Sequence, residues 1–234
     1  MVRGVWNARE GSKMLISLFG PQLVCISYIS EARTSTEPGM MASMSEAAFT
    51  GIESERLWIR RFNDSDLVPF MAYRNDPEVA RYQSWNSCDE QEARVFIREM
   101  ESAQPGVPGE WFQFAIESIA TQDLIGDCAL RVDEHEPYRA EIGFTLAREH
   151  QGRGFASEAV SLLLDYAFGT QGLHRVVAIA DCRNAPSVAL LEQLGMRREG
   201  HFLENVWFKG RWSDEYLYAV LRHEWLRKRT RESP

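Results

Sequence analysis

Between an apolar run, Glu141-Ile142-Gly143-Phe144-Thr145-Leu146, and a helix-patterned run from Ser157 to Gly169 stands Arg148-Glu149-His150-Gln151-Gly152-Arg153-Gly154-Phe155-Ala156. No other segment narrows the choice of fold as much. A strand delivered into a helix through a glycine-rich turn leaves backbone N–H groups unpaired at the positive end of the helix dipole. Such a turn binds phosphate or pyrophosphate, and Arg148 and Arg153 stand beside it. A ligand carrying a pyrophosphate is therefore expected.

The flanking segments read as short alternating elements. Arg56-Leu57-Trp58-Ile59-Arg60-Arg61-Phe62 alternates with the period of two of a half-buried strand. Asn63-Asp64-Ser65-Asp66 supplies caps for a helix whose face is Leu67, Phe70, Met71 and Arg74, and Asn75-Asp76-Pro77 is expected to stop it. A second helix begins at Asp89, carries Val95, Phe96, Ile97 and Met100 on its apolar side, and ends at Pro105-Gly106-Val107-Pro108-Gly109. Strand-like runs at 111–116, 124–132 and 139–146 suggest an antiparallel meander, with the acidic turn Asp133-Glu134-His135-Glu136-Pro137 before the last. After the glycine turn, Ala156, Ala159, Val160, Leu163, Leu164, Ala167 and Phe168 recur at helical spacing. Residues 174–180 are a strand rich in β-branched residues, and Asn184–Leu194 is a helix closed by Gly195. Two last strands, Arg198–Trp207 and Glu215–Leu221, flank the turn Lys209-Gly210-Arg211-Trp212. This order predicts an α+β fold: one mixed, mostly antiparallel sheet of about seven strands flanked by about four helices.

The chain has 234 residues, 44% of them hydrophobic, which suits one domain with an appendage. A net charge of −8 lacks the basic field of a nucleic-acid binder. It suits a cationic partner, or serves solubility alone. Residues 1–51 are neutral, four acids against four bases, so the whole −8 falls on the remainder. Met14–Ser30 is largely apolar and follows Arg3, Arg9 and Lys13, loosely like a secretory leader. However, Gly20-Pro21-Gln22 interrupts it, and it falls short of the roughly 20 apolar residues a bilayer requires. Residues 31–51 have the composition of a linker. The expected organisation is a flexible, non-catalytic extension over 1–51, the functional domain over 52–226, and a charged tail over 227–234. Neither membrane nor nucleic acid is expected as a partner. Cys25, Cys88, Cys128 and Cys182 form neither a CxxC pair nor a zinc-ligand set, which suits the reduced thiols of a cytoplasmic protein with no metal.

With these elements placed, residues 55–226 resemble the GNAT superfamily of acetyl-CoA-dependent N-acetyltransferases. The family signature Q/R-x-x-G-x-G/A is met by Gln151, Gly154 and Ala156. The strand Glu141–Leu146 before it and the helix after it support the match, as do Asn184-Ala185-Pro186-Ser187 and Leu191-Glu192-Gln193-Leu194-Gly195-Met196. Arg56-Leu57-Trp58-Ile59-Arg60 and Gly210-Arg211-Trp212-Ser213-Asp214-Glu215 resemble the branch of the ribosomal-protein N-acetyltransferases, which also holds many small-molecule and antibiotic N-acetyltransferases.

The resemblance implies a site. The pyrophosphate of acetyl-CoA is expected on the N–H groups of Gln151, Gly152, Arg153, Gly154, Phe155 and Ala156. The pantetheine arm is expected to pair with the backbone of Phe144, Thr145 and Leu146, which requires the sheet to splay between that strand and 174–180. Asn184 bonds the arm, caps its own helix, or does both. Glu141 stands where many members carry a general-base carboxylate; the alternative is a strand-end glutamate in a surface ion pair. The position where many members carry an acidic tyrosine is Leu191 here. Ser187 is the available substitute as donor to the sulfur; the alternative is a first-turn serine bonded to backbone. Trp85 is the aromatic residue selected for the acceptor site.

The expected reaction is direct transfer of acetyl from acetyl-CoA to a primary amine of a cationic small molecule, of aminoglycoside or polyamine type. A protein α-amino group is the competing acceptor, and a non-catalytic acyl-CoA-binding module the competing class. A P-loop is excluded by the missing Lys-Ser/Thr end, and a dinucleotide fold by the meander in place of a βαβ unit. A homodimer is implied by family analogy only.

Overall fold

The computed structural model describes residues 49–232, so the expected extension lies outside the described residues up to position 48. Strands β1 (Ile52–Glu53), β2 (Leu57–Arg60), β3 (Trp111–Ser118), β4 (Leu124–Val132) and β5 (Arg139–Leu146) pair antiparallel in chain order. Helix α4 (Phe155–Asp165) then carries the chain across to β6 (Arg175–Asp181), which lies parallel to β5, a pairing that requires a crossover connection such as this helix. The antiparallel hairpin of β7 (Arg197–Phe208) and β8 (Arg211–Leu221) completes the sheet in the order β1-β2-β3-β4-β5-β6-β8-β7.

Helices α1 (Leu67–Arg74), α2 (Pro77–Ala80), α3 (Glu90–Ser102), α5 (Ala185–Gln193) and α6 (Arg222–Glu232) account for the rest. The α+β class and the mixed, mostly antiparallel sheet are as expected. The described residues hold eight strands and six α-helices, slightly more than the sequence suggested. Asn75-Asp76-Pro77 ends α1, but it also starts α2. The Asp76 side chain accepts from Glu78 N–H at 2.9 Å, and Pro77 occupies a first-turn position that needs no N–H donor. Residues 227–232, expected as tail, are the last turns of α6. That helix is docked by Trp225, 1% exposed, whose Nε1 donates to Asp165 Oδ1 at 2.7 Å. Packing also begins ahead of position 52: the Phe49 ring lies 5.0 Å from Phe114 and 5.4 Å from Tyr166. The helix after the glycine turn ends in a π-helical turn, Tyr166–Thr170.

One face of the sheet is covered by α4. Val160, Leu163 and Leu164, with Phe168 of the π-helical turn, share one buried core with Leu130, Ile142, Val176 and Ala178. Each large side chain buried in this way stabilises the fold by roughly 1.5–3 kcal/mol. The other face carries α1 and α3, joined by Phe62, Phe70 and Phe96, with the rings of Phe70 and Phe96 stacked at 4.9 Å. A capping box of Asp89 and Glu92 starts α3 where the sequence placed it.

The feature that shapes function is a gap in the sheet. β5 and β6 pair only where Arg139–Glu141 meets Arg175–Val177. Beyond that point β5 stays with β4 as far as Leu146, and β6 stays with β8 as far as Asp181. The two strands part, and a wedge opens between Phe144–Leu146 and Ala178–Asp181.

Candidate active site

Three parts meet at this wedge. The first is the glycine turn at its mouth. Gly152 and Gly154 take left-handed φ values of 70° and 81°, and Gly154 is the residue from which α4 starts. L-residues avoid this region, so both glycines are there for the turn itself. The first bond of the helix runs from Glu158 N–H to Gly154 O, which leaves the preceding amides directed outward along the helix axis. Gln151 Nε2 donates to Leu146 O at 2.9 Å, tying turn to strand. Arg56 fastens the turn from below. Its Nε donates to Glu158 Oε2 at 2.7 Å, its Nη1 donates to Arg153 O at 3.2 Å, and its guanidinium lies 4.7 Å from the Phe155 ring. Phe155 is buried and Ala156 packs on the core. The side chains of Gln151 and Arg153 are exposed, and Arg153 lies over Phe155 at 5.1 Å. Arg148 turns away and pairs with Asp76 at 3.3 Å.

The second part is the backbone of β5 along the wedge. The carbonyl of Phe144 is approached only loosely, by Gln83 Nε2 at 3.5 Å, and that of Leu146 is taken by Gln151. Thr145 and Leu146 are buried and Phe144 is half-buried. Across the wedge, Asn184 caps α5: its Oδ1 accepts from Ser187 N–H at 3.4 Å. Ser187 is half-buried in the first turn of that helix.

The third part is the acidic point of the wedge. Glu141 is in the last β5–β6 pair, opposite Val177, on the sheet face away from α4. Its carboxylate accepts from Arg131 Nη2 at 2.9 Å and is only 12% exposed. The ion pair weighed from the sequence exists, but it is withdrawn from the surface. Burial pushes the Glu141 carboxyl above its ordinary range; Arg131 opposes this and Glu215 adds to it. Glu215 shares this face through its pairing with Asp181, and Asn205 Nδ2 donates to it at 2.6 Å.

The segment after α2 is tied down by a further set of contacts. Trp85 Nε1 donates to Arg74 O at 3.0 Å, and the Arg74 guanidinium lies 3.6 Å from the centre of its ring. Trp85 is therefore engaged by Arg74 at one edge of its ring and over its plane. Lys209 Nζ, from the β7–β8 turn, donates to Trp85 O at 2.7 Å and also reaches Ala80 O, while Tyr82 Oη donates to Arg183 O at 3.1 Å. These contacts span the wedge. Arg131, Glu215 and Lys209 escaped the reading of the sequence. Only Arg131 carried a usable signal, since a hairpin turning through 133–138 sets it opposite Glu141.

A family model described as an acetyltransferase (GNAT) domain matches residues 56–197. The chain belongs to the GNAT acetyltransferases. It is 35% identical over 173 residues to the uncharacterized N-acetyltransferase p20 of Bacillus licheniformis, spanning 74% of this chain and 96% of that one. The crystal structure of a GNAT-family acetyltransferase from Bacillus anthracis superposes with a TM-score of 0.67 at 31% identity, over 75% of this chain and 100% of that one. Spermidine N-acetyltransferase from Vibrio cholerae, in complex with CoA and spermine, gives 0.63 at 25% identity, over 74% and 99%. This GNAT chain is an acetyl-CoA-dependent N-acetyltransferase. The turn of left-handed glycines and the unpaired inner edge of β5 fit such a donor: one offers amides to a pyrophosphate, the other a strand edge to an amide-bearing arm.

Proposed function

We propose that this acetyltransferase acts on a primary amine of a cationic small molecule of the polyamine class. The observation that carries the reading is that Glu141 and Glu215 face the same side of the sheet where β5 and β6 part. A spermidine N-acetyltransferase among the structural neighbours supports the same acceptor class.

The roles follow from placement. Amides of Gly152, Arg153, Gly154, Phe155 and Ala156 hold the pyrophosphate of acetyl-CoA, while the Gln151 N–H, expected among them, already donates to Arg148 O at 3.2 Å. The inner edge of Phe144, Thr145 and Leu146 holds its arm along the wedge, with Asn184 beside it. Bound acetyl-CoA supplies an activated acyl thioester. Glu141 removes the proton that the attacking amine must lose, a task suited to a carboxyl raised by burial. Ser187 donates to the departing sulfur. Trp85, braced by Arg74 and Lys209, forms the wall of the acceptor side. Glu215 attracts the second positive charge of the acceptor.

Thiol release from acetyl-CoA is the test, measured against diamines, polyamines, aminoglycosides and peptides with basic N-termini. Release with polyamines at the lowest KM is expected. Release with peptides alone would move the acceptor to the protein α-amino class, and no release with any amine would favour an acyl-CoA-binding module.

A further inference from the structure

Glu141 is the end of a row. Trp111 on β3, Arg131 on β4 and Glu141 on β5 are successive cross-strand partners on one face of the sheet. The Arg131 guanidinium lies 5.0 Å from the centre of the Trp111 ring, and its Nη2 donates to Glu141 Oε2 at 2.9 Å. The side chains of Arg131 and Glu141 are 20% and 12% exposed. A planar cation resting on an indole and bonded to a carboxylate keeps one orientation. Among the described residues, Arg131 is the sole hydrogen-bond partner of the Glu141 side chain, and it uses Oε2.

We propose that Arg131 is a positioning residue for acetyl transfer: by holding Oε2 of Glu141 against β4, it presents Oε1 to the acceptor amine at the point where β5 and β6 part. This rests on the reading of Glu141 as the base. In the transfer, nitrogen forms the C–N bond with its lone pair while the C–S bond breaks. The surplus proton on nitrogen passes to Oε1, and sulfur leaves with the bonding pair as a thiolate that accepts a hydrogen bond from Ser187 and takes its proton from solvent water. Arg131 also sets how readily Oε1 accepts that proton. The charged groups acting on Glu141 are Arg131 from β4, Arg139 from its own strand and Glu215 from β8; Val177, its partner in β6, is uncharged. Burial and Glu215 raise its affinity for a proton, and the two arginines lower it. Without Arg131 the carboxyl would be protonated over more of the neutral range and free to rotate.

The test is the pH dependence of kcat and of kcat/KM for the full chain, with acetyl-CoA and spermidine, in Arg131→Met, Arg131→Lys, Trp111→Leu and Glu141→Gln. Arg131→Met is expected to move the acidic limb up by about one pH unit or more. It should lower kcat at neutral pH and leave the KM for acetyl-CoA unchanged. Arg131→Lys should recover part of both effects. Trp111→Leu, which keeps the charge but removes the platform, should lower kcat with a smaller displacement of the limb. A folded Arg131→Met with the wild-type limb and kcat overturns the proposal. If circular dichroism finds Arg131→Met unfolded, Arg131→Lys and Trp111→Leu decide in the same way. Glu141→Gln separates the two levels. A loss on the order of 100-fold or more upholds the base, so an unmoved limb in Arg131→Met then defeats only the positioning role. Wild-type activity in Glu141→Gln removes the base and the proposal together.

Discussion

Glu141 and Val177 form the last pair of the parallel ladder between β5 and β6. Up to that pair the sheet is continuous, and beyond it each strand is held by its outer neighbour alone. The candidate base therefore stands where backbone pairing stops. A carboxylate at this position is anchored by a complete sheet on one side and meets the opening on the other.

The glycine turn should separate donor binding from acceptor binding. Gly152→Ala and Gly154→Ala both place a side chain at positive φ, and each is expected to lower stability by about 1–2 kcal/mol. A Cβ at Gly152 meets nothing within 4 Å, so its penalty is one of backbone conformation; at Gly154 the Arg56 guanidinium is 3.4 Å away. In both, the KM for acetyl-CoA should rise several-fold while the KM for the amine stays near wild type. Denaturant melts and initial rates measure the two effects. An unchanged KM for acetyl-CoA in both variants would remove the turn from the donor site.

Asp127 should matter to the fold more than any exposed carboxylate. It is 2% exposed and accepts from Tyr73 Oη at 2.5 Å, Arg74 Nη2 at 3.1 Å and Gln113 Nε2 at 3.2 Å. The Arg74 side chain is fully buried. Asp127→Ala removes a buried acceptor shared by Tyr73, Arg74 and Gln113 and is expected to destabilise by about 3–5 kcal/mol. A chemical melt displaced by less than 1 kcal/mol would show that Arg74 is satisfied without it.

Stability should fall in acid through Glu199. Its carboxyl accepts from Arg175 at 2.5 Å and from Arg197 at 2.7 Å, and these arginines hold it down to about 2. The folded value lies below that of the unfolded chain, about 4.3. The contribution is therefore complete above about pH 4.3 and disappears as pH falls toward 2. Glu199→Gln should flatten the dependence of the melting temperature on pH in that window, and added salt should weaken the wild-type slope. An identical slope in the variant would assign the acid sensitivity to other carboxylates.

The elements legible in the sequence were those whose pattern is local. The α4 face at 159, 160, 163 and 164, continued by 167 and 168 in the π-helical turn, follows from spacing alone, as do the caps at Asp89 and Asn184. Helix α6 was not legible, because Arg222–Glu232 is mostly charged and Trp225 alone does the work of an apolar face. The wedge was reached only through family resemblance, since two strands that stop pairing leave no mark in composition or period. Side-chain partnerships across the chain were the least accessible. Nothing near Trp85 in sequence says that its indole lies on Arg74 and that its carbonyl is held by Lys209, 124 residues away.

The fastening of the glycine turn has a consequence in time. Arg56 and Glu158 are separated by 102 positions along the chain, and their bond joins the start of β2 to the first turn of α4. Contacts between distant segments require closure of a long loop and slow the folding that depends on them. A folding chain that has formed α4 but not yet docked β2 has the helix without the strap that steadies its leading end. The steadying of that leading end therefore waits on closure of a loop 102 residues long.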